Sequence, residues 1–305
     1  MSGIIVMGDV MLDKFSYGKV KRLNPEWPNP LLHIVKEEYK LWGAANVAAN
    51  IAGLDESVSL IGAIGDDENG ERFKKICEEN KIHLDAIHHA MPTITKQRFI
   101  ENTYRTQLLR VDYEEQYSLQ AKDNNKILKV VQELSPKYIV ISDYNKGITS
   151  KDLIQKMKEY SKETGALLLV DTKPSNVHLF DWVYLLKPNV KEFRQMIGQE
   201  IENTDEMIEH YGKEFVQKNN CNIVITKGAQ WASLITKSGE VNHLPTEARE
   251  VFDVTWAWDT FLATLTVALS KWYTLSEAVK RANKASWIVV GEVGTAIIKK
   301  GQLMM

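Results

Sequence analysis

Two stretches of the chain could do chemistry, one because it sets asparagines among very small residues and the other because it sets a carboxylate at a helix start. In Trp42-Gly-Ala-Ala-Asn46-Val-Ala-Ala-Asn50, small residues would let a helix start come near a ligand, and Asn46 can both donate and accept hydrogen bonds. In Asp253-Val-Thr-Trp256-Ala-Trp258-Asp259-Thr, a carboxylate stands at the start of what reads as a helix. There it could cap backbone N–H groups or take a proton from a hydroxyl. Spacing alone leaves both roles open.

The elements that would position these residues follow from the apolar pattern. Short apolar runs at Ile4–Met7, Val58–Ile61, Tyr138–Ile141, Ala166–Val170, Val183–Leu186 and Ile223–Ile225 each end in glycine or polar residues. Amphipathic segments of helical spacing lie at Gly70–Asn80, Lys122–Leu134, Lys151–Glu163, Asp205–Lys218 and Leu275–Val290. Alternation of strand and helix predicts a parallel sheet covered on both faces, with ligands bound outside the carboxyl ends of its strands. Residues 14–39, with three prolines, and 93–113, where Ile94, Lys96, Arg98 and Ile100 alternate, break the pattern. Both read as antiparallel strands outside the main sheet, placed to form a flap over the cleft.

Composition removes several function classes. The 305 residues carry 38 Lys and Arg against 40 Asp and Glu, a formal charge of −2 without basic runs, which argues against nucleic-acid binding by bulk electrostatics. With 44% hydrophobic and 26% charged residues the chain reads as folded rather than disordered. Cys77 and Cys221 are the only cysteines and stand far apart, so neither a disulfide framework nor a zinc site is expected, and a cytoplasmic location fits. No apolar stretch reaches ~18 residues, so neither export nor membrane spanning is expected.

Taken together, the order and spacing of the two polar segments resemble the signature regions of the ribokinase-like (PfkB) carbohydrate kinases, and the resemblance covers nearly the whole chain. Gly8-Asp-Val-Met-Leu-Asp13, Asn24-Pro-Glu-Trp-Pro28, Gly43-Ala-Ala-Asn46, Thr93-Ile-Thr-Lys96, Leu109-Arg-Val-Asp112, Ser142-Asp-Tyr-Asn-Lys-Gly147 and Lys187-Pro-Asn189-Val-Lys-Glu192 look most like one branch, the heptose 7-phosphate kinases of lipopolysaccharide precursor synthesis. The resemblance implies an α/β fold: a three-layer α/β/α arrangement around a mostly parallel sheet with a small β-strand lid. It also implies one kinase domain over residues 1–305, and no nucleotidyltransferase domain is expected because no HxGH-type motif is present.

By the same resemblance the activity is ATP-dependent and uses Mg²⁺. It phosphorylates the anomeric hydroxyl of D-glycero-β-D-manno-heptose 7-phosphate, and the enzyme is a homodimer with contacts through Leu31, Leu32, Ile34 and Phe99. Asp259 matches the catalytic base, and residues 256–258 (Trp256, Ala257, Trp258) match the anion hole of backbone N–H groups at a helix start. Asp13, Gly43, Asn46 and Asp143 fall on the acceptor side, with Lys96, Arg110 and Lys146 as candidates for its existing phosphate. Asn189, Thr226, Gly228 and Asn283 fall on the nucleotide side, and Glu192 would organise the metal through water. No Walker A sequence GxxxxGKS/T occurs, which disfavours a P-loop kinase. Two other readings stay open: a sugar or nucleotide binder without turnover, and a kinase of a different sugar or sugar phosphate.

One departure from the family pattern bears on activity. Trp42, Trp256 and Trp258 stand where the family has glycine, at points where backbone must approach phosphate or sugar without a Cβ. The remaining tryptophans, at 27, 182, 231, 272 and 287, fall in turns or at further glycine positions of relatives. A gene that uses UGA for glycine, translated with UGA as tryptophan, would account for all eight. A catalytically impaired chain is the competing expectation.

Overall fold

The computed structural model describes residues 3–89, 91–228, 232–244, 257–290 and 297–303. The chain begins with β1 (Ile4–Gly8), β2 (Val10–Leu23), β3 (Pro30–Gly43), α1 (Ala44–Gly53), β4 (Val58–Gly65), α2 (Glu68–Glu79) and β5 (His83–His89). It continues through β6 (Thr95–Glu101), β7 (Thr106–Tyr113), α3 (Ala121–Leu134), β8 (Tyr138–Ser142), α4 (Lys151–Thr164), β9 (Leu167–Asp171), β10 (Leu185–Leu186) and α5 (Val190–Ile197). It ends with α6 (Asp205–Asn219), β11 (Asn222–Thr226), β12 (Ala232–Ile235), β13 (Val241–Leu244), α7 (Ala257–Ser270), α8 (Leu275–Val290) and a terminal turn of helix.

Nine strands form one sheet in the order β13-β12-β11-β10-β9-β8-β1-β4-β5, parallel except for β12 and β13. Side chains alternate across it. Ile4 and Val6 join a core with α1, α7 and α8, while Ile5 and Met7 join another with α3 and α4. This period-two division of one apolar run between two cores is what a three-layer α/β/α fold requires. Helix starts are fixed by local chemistry. Asp67 accepts from Gly70 N–H, Ser150 from Leu153 N–H, and Asn189 and Glu192 form a reciprocal capping box.

A second sheet of four strands, β3-β2-β6-β7, stands apart from the first. The strands expected within 14–39 run further, from Val10 and to Gly43, because β2 leaves β1 after one residue and β3 runs directly into α1. The expected all-antiparallel pairing also needs correction: β2 and β6 are parallel, whereas β2–β3 and β6–β7 are antiparallel. In the main sheet, the run Val183–Leu186 forms only the two-residue β10, and β5, β12 and β13 were not anticipated.

The register brings β1, β8 and β9 to a common carboxyl edge, with Gly8 beside Ser142 and Ser142 beside Asp171. Strand order reverses at β1, whose neighbours are β8 on one side and β4 on the other. Such a switch opens a crevice at the carboxyl edge. Ala44, Ala45, Ala48 and Ala49 make α1 thin enough to lie buried against α7.

Candidate active site

The seam between α1 and α7 joins the two polar segments singled out in the sequence. Asn46 Nδ2 donates to Asp259 Oδ2 at 2.8 Å, across 213 residues of chain. Asn50 Nδ2 donates to the Asn46 carbonyl at 2.8 Å, and Thr260 Oγ1 donates to Asn50 Oδ1 at 3.0 Å. Tyr144 completes the surroundings of the carboxylate, its hydroxyl donating to Asp259 Oδ1 at 3.3 Å. Asp259 is 3% exposed. Burial pushes its pKa up to about 7, the nearby Asp171 charge acts in the same direction, and Asn46, Lys187 and Tyr144 hold it down. A carboxylate poised near neutrality with two oriented donors is suited to accept a proton from an alcohol.

Tyr144 is held by a buried carboxylate at the end of β1. Asp9 Oδ2 accepts from Tyr144 N–H at 2.8 Å and Lys146 N–H at 3.0 Å; its Oδ1 accepts from Ile148 N–H and Tyr117 Oη, each at 3.3 Å. The loop must turn sharply around this anchor. At Gly147 φ is 133°, and a Cβ there would stand 1.8 Å from the Tyr117 carbonyl oxygen, so only glycine fits. Asp143 belongs to the same scaffold: it accepts from Thr172 Oγ1 at 2.5 Å, Asn176 Nδ2 at 2.9 Å and Asn145 N–H at 2.9 Å. Both its oxygens are therefore engaged by protein groups.

The small sheet contributes a charged face. In register, Asp13 lies beside Lys96 and Phe15 beside Arg98, while Lys96 faces Asp112 and Arg98 faces Arg110. Arg98 Nε donates to Asp13 Oδ1 at 3.0 Å, and burial pushes the Asp13 pKa up to about 6 against the pull of Arg98. Lys96 pairs with Asp112 and Glu114 at 2.9 and 3.1 Å, Arg110 grips Asp112 with two bonds of 2.8 Å, and Lys146 reaches Glu114 at 2.9 Å. The three basic residues singled out in the sequence thus converge on one pair of carboxylates. Arg98, two residues beyond Lys96 on β6, shares its face. The Trp42 indole lies among these groups, with the Lys96 ammonium 5.0 Å and the Arg98 guanidinium 5.5 Å from its ring and Tyr144 edge-on at 6.3 Å. Gly43, beside it, caps α1 with φ 68°.

On the other side of Asp259, Lys187 pairs with Asp171 at 2.7 Å and is nearly inaccessible. Glu192 Oε1 receives Lys173 at 2.7 Å and its Oε2 receives the Asn189 N–H at 3.1 Å. Asn189 forms a parallel bridge with Thr226, whose N–H donates to the Pro188 carbonyl. Gly228 has φ 61°, and Asn283 is buried on α8 with its Oδ1 lacking a hydrogen-bond partner among the described residues. Ala257 is buried, its carbonyl accepting from Ser286 Oγ at 2.9 Å, and Trp258 is half-buried against Phe261. Trp256 lies outside the described residues, so the expected anion hole is described only at its last two positions. Tyr144, Arg98, Asp171 and Lys187 are the site residues that sequence reasoning missed.

A buried carboxylate at the carboxyl edge of a three-layer α/β/α fold thus faces a sheet of paired charges. The profile of the family described as pfkB family carbohydrate kinase matches residues 5–300, and the chain belongs to that family of ATP-dependent sugar kinases. Among curated relatives, the bifunctional protein HldE of Haemophilus influenzae (strain PittEE) is 36% identical over 305 residues, covering 98% of this chain. HldE of Paramagnetospirillum magneticum is 33% identical over 310 residues, covering 99%. The chain spans 62% of the length of either relative. In fold it is similar to phosphofructokinase-2 from Escherichia coli, with a TM-score of 0.82 at 17% identity, covering 98% of this chain and 96% of that one. It is also similar to ribokinase from Thermotoga maritima, with a TM-score of 0.74 at 19% identity, covering 99% and 97%.

Proposed function

We propose that the chain transfers the γ-phosphoryl group of ATP to the anomeric hydroxyl of a heptose 7-phosphate, with Asp259 as the base. The observation that carries this reading is the Asn46–Asp259 pair, buried at the carboxyl edge of the sheet. Asn46 and Tyr144 orient the carboxylate, so that it can take the acceptor's proton as the alcohol oxygen attacks. N–H groups at the start of α7 would face the transferring phosphoryl group, where a helix N-terminus favours negative charge. Lys96, Arg98, Arg110 and Lys146 gather beside Asp13, Asp112 and Glu114, a cluster of cations suited to a substrate that brings its own phosphate.

Magnesium fits this site without a dedicated cage. Among the described residues no three His, Cys, Asp or Glu side chains cluster as metal ligands. Both Glu192 oxygens already accept protein donors, so Glu192 would hold the ion through water, with substrate phosphates supplying the inner ligands. Bound there, the ion would neutralise phosphate charge. Asn189, Thr226, Gly228 and Asn283 are proposed for the nucleotide side, and a homodimer through the small sheet is proposed as the assembly.

The test is phosphate transfer from magnesium-ATP to D-glycero-D-manno-heptose 7-phosphate, followed beside fructose 6-phosphate and ribose. Turnover confined to the heptose phosphate supports the reading, and turnover confined to another acceptor rejects that substrate. A second reading, a binder without turnover, is favoured by the Trp42 indole lying on the acceptor side. It predicts a ligand-induced rise in Tm with no ATP consumption.

A further inference from the structure

We infer that glycine is the residue this fold requires at positions 182 and 272, that the same substitution explains Trp42, and that the indole at 42 closes the acceptor pocket. The part concerning position 42 rests on the kinase reading above; the part concerning the backbone does not.

The backbone observations come first. Eight described residues other than glycine have positive φ: Asp55, Lys81, Arg105, Ser135, Asn145, Asn220, Trp182 and Trp272. Six carry flexible or short polar side chains that tolerate the left-handed region, but an indole has no such excuse. Trp182 has φ 63° and Trp272 has φ 65°. Both rings are thrown into solvent, at 71% and 85% exposure, so no apolar burial compensates for the strain.

The surroundings of Trp272 identify the motif. Its N–H bonds to the Leu269 carbonyl at 3.0 Å, and the Tyr273 N–H bonds to the Ala268 carbonyl at 3.3 Å. These two bonds, with a left-handed residue just past the end of α7, define a Schellman cap, whose left-handed position belongs to glycine. The other left-handed residues that close helices are glycine or polar: Gly165 and Gly198 after α4 and α5, and Asp55, Lys81, Ser135 and Asn220 after α1, α2, α3 and α6. Among these described helix ends tryptophan at 272 is the one bulky aromatic residue.

Position 42 shows the same replacement through packing. Its indole is 8% exposed and is wedged between the Lys96 and Arg98 cations and the edge of Tyr144. These are the groups that a phosphorylated acceptor lying over Asp259 would need to reach. A glycine leaves that volume to the ligand. One cause covers strain at 182 and 272 and occlusion at 42: a UGA codon that specifies glycine and has been read as tryptophan.

Three measurements test this. UGA codons at 42, 182 and 272, with glycine in peptides of the protein from its native source, support the inference; UGG codons overturn it. In the recombinant chain, Trp182→Gly and Trp272→Gly together should raise Tm by about 2 °C or more, whereas Trp27→Gly, at a position outside the left-handed region, should not. A double variant no more stable than its parent overturns the backbone argument.

For the pocket, tryptophan is restored at 42 alone in a chain carrying glycine at all eight positions. The KM for heptose 7-phosphate should rise at least about 100-fold, while the affinity for ATP stays within about twofold. An unchanged acceptor KM overturns the closure. If the all-glycine chain is more stable, with native glycine confirmed, yet phosphorylates none of the sugars tried, the functional reading fails while the glycine assignment stands.

Discussion

At Asp259 the requirements of stability and of catalysis oppose each other. Its folded pKa of about 7 lies above the ordinary value of 3.8, with burial as the largest cause. The protonated carboxyl is therefore the form the fold prefers. The stability this supplies is complete below the unfolded pKa and is lost as pH rises from about 4 through about 7. Catalysis needs the other form. Turnover should climb tenfold per pH unit below about 7 and level off above it, as a pH–kcat/KM profile would show. Asp259→Asn should abolish turnover and raise stability at pH 8 by up to about 3 kcal/mol, read by urea denaturation at pH 5 and pH 8. Equal stability of the two proteins at pH 8 would contradict the buried charge. Tyr144→Phe removes a donor that holds this pKa down, so the midpoint of the rate profile should move to higher pH, with little change in acceptor KM.

At the scale of elements, the small sheet shows what a sequence discloses and what it withholds. Reading residues 93–113 as strand puts Lys96 and Arg98, two residues apart, on one face of β6, because a strand has period two whatever it pairs with. It could not give the partner. Parallel pairing of β6 with β2 joins segments about 80 residues apart and is decided by tertiary packing, so the contact of Arg98 with Asp13 stayed hidden although both residues were in view. Tyr144 stayed hidden for a related reason: its position depends on Asp9 gathering the 144–148 loop, a long-range bond with no local signature. Asn46 and Asp259 came into view through the resemblance, because spacing alone leaves an asparagine or a carboxylate at a helix start open to an ordinary capping role. Strands β12 and β13 are four residues each, too short for periodicity to register. The Arg98–Asp13 pair yields a prediction at this scale. Arg98→Ala strands a fully buried carboxylate, which should cost about 2–3 kcal/mol at pH 8. The loss should shrink at pH 5, where Asp13, already at about pH 6 with its partner present, takes up a proton. Urea denaturation of the variant at the two pH values measures the difference; a pH-independent loss would assign the effect to lost packing.

For the whole molecule, the open question of physical consequence is what covers the small sheet. Its two edges, β3 and β7, have no further strand partner in the chain as described. Leu31, Ile34 and Val35 on β3 and Leu108 and Leu109 on β7 are exposed. One face of the sheet is committed to the charged groups of the site, so these apolar residues cannot all be buried by closure over Asp259. An exposed sheet edge lined by leucine and valine invites another strand, and a second copy of the same chain offers a complementary one by twofold symmetry. The chain should therefore be a dimer at micromolar concentration by light scattering. Leu31→Glu combined with Ile34→Glu should give monomers, because two charges per protomer would be buried without partners. If the dimer orders the sheet that carries Lys96, Arg98 and Arg110, the monomeric variant should also bind the phosphorylated acceptor more weakly while retaining its affinity for ATP. A monomeric parent protein, or a double variant that stays dimeric, would place the interface elsewhere.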